Sequence, residues 1–331
     1  MAEKDWEDFG WQGLRLRVPS DWNLGRVDGD AEKGYARLDD AEIVRAEIEW
    51  RKLKGREVGV PLSDLVDRYL EGLKKKADKA GAGFEVQRRA RFLREKQWLD
   101  GYDYEVFTWD ADFRAFNIAL RFVSTQRVVL LRVLVRRDED QIDVVERIFR
   151  SLREEADREE YLWCVYGLRF FMPAEFALAG HELKSGHIQL RFEQGRRECR
   201  VHRLSMARLL LKGSDVEQWY PAFFKKQLRD FVIDITREDV KGHVGLRLAG
   251  RPRSRWRQLL RPLPFVNPRP RLFMDARIWH RQDQDKISVV EYLYRKKDDA
   301  SDIVETVVHG HFIEEAEVKS GGDDVVSTNE E

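Results

Sequence analysis

"GLRLRVPSDW" at residues 13–22 and "GLRFFMPAEF" at residues 167–176 decide how this chain is to be read. They lie 154 positions apart. In each, apolar and polar residues alternate as in a half-buried strand, a proline (Pro19 or Pro173) ends the run, and an aromatic (Trp22 or Phe176) follows three residues later. The same offset holds further on. "PLSDLVDRYLEGLKK" places Leu62, Leu65, Val66, Tyr69 and Leu70 on one helical face, and 154 residues later stand Val216, Trp219, Tyr220, Phe223 and Phe224. All five positions stay apolar. Pro221 falls inside the second helix and marks either its first turn or a kink. Near the end of each half, "VVLLRVLVRRDEDQIDVVERIFRSL" (128–152) matches "ISVVEYLYRKKDDASDIVETVVHGH" (287–311) at an offset of 159, with Val145, Glu146 and Ile148 falling on Val304, Glu305 and Val307. The chain is a duplicated domain.

Each copy reads as a strand, two more strands, a helix, a meander of strands and a last helix. In the first copy the early strands cover about 14–18, 35–38 and 43–50. Val44, Ala46, Ile48 and Trp50 alternate with Arg45, Glu47 and Glu49, the period of a strand with one buried face. "RRARFLREK" (88–96) reads as an exposed strand face, and "GAG" at 81–83 as a helix stop. The expected fold class is α+β: two tandem α/β/α sandwiches, each a mostly antiparallel sheet flanked by helices. The expected domains are 1–153 and 161–313, joined by the charged "REEADREE" (153–160), which extends the last helix of the first copy. Residues 314–331 form an acidic, disordered tail.

The opening glycine–leucine strand closed by a proline and an aromatic, the helix after three strands, the meander and the final "IFRSL" helix together resemble the Mog1/PsbP/DcrB-like family. The resemblance covers both halves. It implies a binding, assembly or accessory protein, and it names no partner. The second copy departs from it at the end, where His309, Gly310 and His311 replace Arg150, Ser151 and Leu152.

The 331 residues carry 60 basic and 60 acidic side chains, so no global charge draws the chain to nucleic acid or membrane, and an electrostatic partner must meet a local patch. No apolar run reaches the roughly 18 residues of a membrane span. The N-terminal "MAEKDWEDFGW" lacks a secretory apolar core, and a cytoplasmic location is expected. Cys164 and Cys199 are the only cysteines and read as buried small hydrophobes in a reducing compartment.

One patch stands out. "RPRSRWRQLLRPLPFVNPRP" (251–270) holds six arginines, five of the nine prolines and no acid. "GYDYEVF" at Gly101 matches "HVGLRLAG" near Gly245 at an offset of about 144. The second copy has therefore lost about ten residues after its helix and gained about fifteen here, as a loop between two strands. The candidate binding residues are Arg251, Arg253, Arg255, Trp256, Arg257, Arg261, Arg269 and Arg271, with Leu259, Leu260 and Phe265 interleaved. Arginine forks suit phosphate or carboxylate, and the tryptophan offers a stacking face. The segment suits four uses: packing back on its own protein, an acidic protein partner, nucleic acid, or an anionic membrane. The acidic tail nearly cancels its charge and would screen it in cis.

No metal, cofactor or catalytic residue is expected. "HELKSGH" (181–187) has Ser185 where a zinc helix needs its second histidine, and Gly186 marks a turn. Cys199 and His202 sit three apart on a strand, on opposite faces. His309 and His311 suit the end of a helix, and Glu47 and Glu49 suit cross-strand partners of arginine. The expected function is a non-enzymatic adaptor or assembly protein that binds through the Arg/Trp loop of its second copy. The alternative is an anion-binding protein that touches nucleic acid or anionic membrane through the same loop.

Overall fold

A computed structural model describes residues 5–81, 83–89, 91–111, 113–156, 158–253, 272–295 and 302–310. The chain divides into two compact units, Met1–Gly167 and Leu168–Glu331.

The first unit opens with a hairpin, β1 (Trp6–Trp11) and β2 (Leu14–Pro19), turned by Gln12 and Gly13, both at positive φ. Seven strands follow: β3 (Asn23–Gly29), β4 (Lys33–Asp39), β5 (Val44–Lys52), then helix α1 (Leu62–Ala80), then β6 (Glu85–Arg88), β7 (Asp103–Asp110), β8 (Arg114–Phe122) and β9 (Arg127–Val135). They form one sheet in the order β3-β4-β5-β9-β8-β7-β6, antiparallel throughout. α1 packs Leu62, Val66 and Leu70 against Phe107, Ala119, Val128 and Leu130. It ends where the sequence expects, at Gly81 in the left-handed region (φ 64°), whose N–H caps Ala77 and Asp78. On the other face, helix α2 (Ile142–Ser151) buries Val145, Ile148 and Phe149, and Phe92 lies edge-on to both Phe149 and Phe116.

Two short strands complete this unit. β10 (Arg153–Glu154) pairs with β2, and β11 (Glu160–Val165) pairs with β1, Gly10 opposite Cys164. Those two residues are themselves 154 apart. A Cβ at Gly10 would meet the Leu162 carbonyl oxygen at 2.5 Å, so this strand approach requires glycine. Glu155 accepts the Leu162 N–H at 2.8 Å, and the Trp11 and Trp163 rings meet edge-on at 5.1 Å. Residues 153–160 therefore do not extend α2. The backbone turns extended at Leu152 (ψ 124°).

The second unit repeats the plan. After β12 (Leu168–Pro173) come β13 (Ala177–Lys184), β14 (His187–Gln194) and β15 (Arg197–Ser205). The helices α3 (Ala207–Leu211), α4 (Val216–Phe223) and α5 (Lys225–Leu228) follow. Then come β16 (Phe231–Val240), β17 (His243–Pro252), β18 (Phe273–Arg281), β19 (Lys286–Tyr294) and helix α6 (Ile303–Gly310). The sheet order β13-β14-β15-β19-β18-β17-β16 is that of the first sheet, strand for strand. Even the irregularity repeats: the register shifts between Leu24 and Arg26, and again 154 residues later between Leu178 and Gly180. Each unit is an α/β/α sandwich, as the sequence pattern predicts.

The copies differ where the sequence offsets drift. α1 spans 19 residues and α4 only 8. Pro221 lies inside α4 and offers no N–H to the carbonyl of Glu217, so the helix stops at Phe223. Residues 89–102 separate β6 from β7, whereas Lys241 and Gly242 alone turn β16 into β17. Sheet register puts Leu248 in the place of Phe107 (offset 141) and Ala276 in that of Asn117 (offset 159). The second copy has thus lost thirteen residues and gained eighteen, larger changes than the sequence match alone implies.

Two further readings are corrected. Strands β1 and β3 are additional to those expected, because their alternation is broken by charged and glycine residues. Among the described residues of the basic run at 88–96, only Arg88 belongs to a strand, and Leu93 is buried. Residues 314–331 lie outside the described residues. Among the described residues no helix is long and apolar enough to cross a membrane.

β11 buries Leu162, Trp163, Cys164 and Val165. A chain cut after Arg153 is therefore expected to be less stable to urea than one cut after Gly167, by about 3 kcal/mol or more. Equal midpoints and slopes would remove this strand from the first unit's core.

Candidate binding surface of the second unit

β16 and β17 pair along their whole length, from Val240 opposite His243 to Phe231 opposite Pro252. The chain therefore carries Arg251 and Arg253 back to the segment that enters β16. There the Arg253 N–H donates to the Asp230 carbonyl at 2.9 Å, and its guanidinium reaches the Arg229 carbonyl at 3.4 Å. Arg251 and Arg253 are exposed. So are Lys225, Lys226 and Arg229, three cations that the sequence reading missed. They stand 25 residues upstream, and only the β16–β17 register brings the two basic groups to one corner. In β18, Phe273 stacks on Tyr294 with ring centroids 5.6 Å apart. Arg255, Trp256, Arg257, Arg261, Arg269 and Arg271 lie outside the described residues.

This corner differs in its pairing. Elsewhere in the unit several arginines meet carboxylates: Arg237 with Asp215 (2.8 Å) and Glu217 (2.6 Å), Arg277 with Glu238 (2.5 Å) and Glu305, Arg197 with Glu175 (3.2 Å). Among the described residues, Lys225, Lys226, Arg251 and Arg253 meet none, and Arg229 stands 3.9 Å from Asp230. Among the described residues, these five exposed cations make a local positive field in a neutral chain.

A second polar group lies under α4. Arg200 of β15 and Glu291 of β19 are directly opposite each other on the helix-covered face. Glu291 is fully buried; one oxygen accepts the Tyr220 hydroxyl at 2.6 Å, and the other lies 3.6 Å from Arg200 and 3.7 Å from His202. Burial pushes its carboxyl up, but His202, Arg200 and the Tyr220 hydroxyl outweigh that and hold it below the usual range. Burial, then Glu291, pushes the Tyr220 phenol well up. His202 Nδ1 faces His187 Nε2 at 3.1 Å, and Phe223 and Phe224 cover the pair edge-on. Burial, then His202, brings His187 down to about 4.

The first unit has the same row with the charges exchanged. There Glu47 of β5 opposes Arg132 of β9, at 3.3 Å, and Arg132 also holds Glu49 at 3.1 Å. These carboxylates are cross-strand partners of arginine, as their spacing implies. Gly186 (φ 85°) turns the "HELKSGH" hairpin. Cys164 and Cys199 are both buried, and burial pushes the Cys199 thiol up. Among the described residues no group of three or more His, Cys, Asp or Glu is arranged to hold a metal ion.

No family model and no curated protein matches this chain. Solved structures similar to it include the immunity protein TplEi of T6SS from Pseudomonas aeruginosa complexed with "L" peptide. It is 11% identical, covers 92% of this chain and 96% of that one, and has a TM-score of 0.37. The apo form of that protein gives 12% identity, the same coverage and a TM-score of 0.36. Cyanobacterial PsbP (CyanoP) from Synechocystis sp. PCC 6803, of the family that the opening strand resembles, is 12% identical. It covers 46% of this chain and 95% of that one, with a TM-score of 0.32. Likenesses this slight carry no argument about partner or activity.

Glu291→Gln removes the buried charge on which Tyr220, Arg200 and His202 converge, while Arg200 keeps Glu198, and is expected to destabilise the fold by about 2 kcal/mol; chemical unfolding measures it. Because unfolded histidine titrates near 6.5 and His187 near 4, the unfolded state binds the extra proton between those values. Stability conferred by neutral His187 is therefore complete above that window and is lost as pH falls through it. His187→Gln is expected to flatten the dependence of the unfolding midpoint between pH 7 and pH 4.5.

Proposed function

We propose that this chain is a non-enzymatic binding protein whose contact is the Pro/Arg segment of the second unit together with the cations at its root, and whose partner is a protein with an acidic surface. The observation that carries this reading is the group Lys225, Lys226, Arg251 and Arg253, exposed and without a carboxylate partner among the described residues, beside arginines of the same unit that are paired, such as Arg237 and Arg277. Arginine is suited to such contacts because its planar fork meets carboxylates bidentately and is weakly hydrated. The sequence of the adjoining segment adds what a protein interface needs at its centre. Trp256, Leu259, Leu260 and Phe265 are apolar anchors among the arginines, and Pro262, Pro264, Pro268 and Pro270 reduce the entropy lost on binding. Phosphates of nucleic acid or of an anionic membrane are the competing partners for the same forks.

The test compares the full chain with a Lys226→Glu, Arg251→Glu, Arg253→Glu variant. Proteins captured from a lysate, a labelled single-stranded oligonucleotide and anionic liposomes are offered at about 50 and 200 mM salt. A captured protein that survives the higher salt and is lost from the variant supports the reading. Oligonucleotide or liposome binding that falls about 100-fold or more between the two salts and is lost from the variant moves the site to phosphate. Equal behaviour of parent and variant removes this corner from function.

A further inference from the structure

The helix-covered face of the first unit holds a cavity of about 200 Å³ between α1 and the sheet. Its walls are apolar: Leu62, Leu65, Val66, Tyr69, Ala119 and Leu130. Its rim carries Lys33, Glu49 and Arg51. Gly34 and Trp50 close one side; a Cβ on Gly34 would stand 2.2 Å from the Trp50 ring, so the indole can lie there only against glycine.

The second unit serves as an internal control. On the α1-to-α4 match, Leu65 and Val66 correspond to Trp219 and Tyr220, both buried in the core with Phe224. Tyr220 spends its hydroxyl on Glu291. The larger side chains fill in one copy the space that the smaller ones leave open in the other. In the first unit the phenol at this level belongs to Tyr69, and its hydroxyl is buried without a hydrogen-bond partner among the described residues. Burial pushes that phenol up to about 12, so it stays neutral and keeps its proton to donate. A buried hydroxyl left unpaired beside an apolar cavity calls for a polar atom on whatever fills it.

Charge at the rim sets the sign of that atom. Glu49 is held by Arg132 at 3.1 Å and Arg51 by Glu57 at 3.0 Å. Lys33 is exposed and meets no carboxylate among the described residues. Lys33 is thus the rim charge open to an anionic group on a ligand. As for size, an apolar cavity of about 150 Å³ accepts benzene, and pockets for larger ligands begin near about 300 Å³.

We propose that the first unit binds a small apolar molecule ending in a carboxylate, a single-ring aromatic acid or a short-chain acyl acid. The body lies among Leu65, Val66 and Leu130, the Tyr69 hydroxyl donates to the ligand, and Lys33 faces the carboxylate. The site is independent of the basic corner of the second unit.

Phenylacetate and octanoate, with benzyl alcohol and 1-octanol as neutral counterparts, are titrated into the full chain by ligand-observed NMR. Saturable binding of at least one acid, tighter than that of its alcohol, is expected. Leu65→Trp, which copies the second unit, is expected to weaken it at least about tenfold by filling the space while leaving Tm unchanged or raised. Tyr69→Phe keeps the shape and removes the donor; about fivefold weaker binding is expected. Lys33→Gln is expected to remove the preference for the acid. No saturable binding of either acid, or alcohols bound as tightly as acids, overturns the proposal. So does unchanged affinity in Leu65→Trp; where that variant fails to fold, unchanged affinity in Tyr69→Phe overturns it instead.

Discussion

Each sheet is closed by one pair of strands far apart in sequence, β5 with β9 and β15 with β19, and a charged pair lies across each junction on the helix-covered face. Glu47 faces Arg132 in the first unit and Arg200 faces Glu291 in the second. This pairing joins the first three strands of each sheet to the meander of the other four, so the remaining topology depends on it. A slip of one residue would turn every buried side chain of the strand outward and leave a charge facing the core without its partner. The exchange of acid for base between the copies shows which property is required there: opposite charge across the junction, in either sense.

The helices respond to that row differently. α1 is long and covers its sheet with leucine, valine and one tyrosine, leaving space beside Tyr69. α4 is cut short at Pro221 and fills its side with Trp219, Tyr220 and Phe224. In the second unit the buried carboxylate is satisfied from the helix by Tyr220, and Arg200 and His202 complete its surroundings. In the first, Arg132 is satisfied within the sheet by Glu47 and Glu49, which leaves the phenol of Tyr69 free of that duty. One architecture thus produces a filled core in one unit and a cavity in the other, through the volumes of two side chains.

Surface charge follows a similar division of labour. Many arginines bond to carboxylates, some across a strand pair as in Arg15 with Asp8 and Arg121 with Asp103, and this offsets charge on a densely charged surface. At the corner where Arg251 and Arg253 meet the end of α5, neither has a carboxylate partner among the described residues, and the corner lies at the point where the second copy has gained its extra residues. Insertion at a strand end adds surface without disturbing the ladder, because β17 and β18 keep their register on the near side of it.

By itself the sequence determined the duplication, the α/β/α class, the helix stop at Gly81, the turn at Gly186 and the alternation of β5, because each depends on local periodicity or on one residue's backbone freedom. It also placed the basic insertion between two strands of the second copy. The sequence left hidden what depends on strands meeting at long range. β1 and β3 carry too many charges and glycines to declare themselves as strands. The pairing of β11 with β1 needs Gly10 to lie against the Leu162 carbonyl. Lys225, Lys226 and Arg229 join the basic group only through the β16–β17 register, and the space beside Tyr69 exists only because α1 lies on Ala119 and Leu130. A side chain's neighbours across a sheet or under a helix are set by register and packing, and only the tertiary structure decides those.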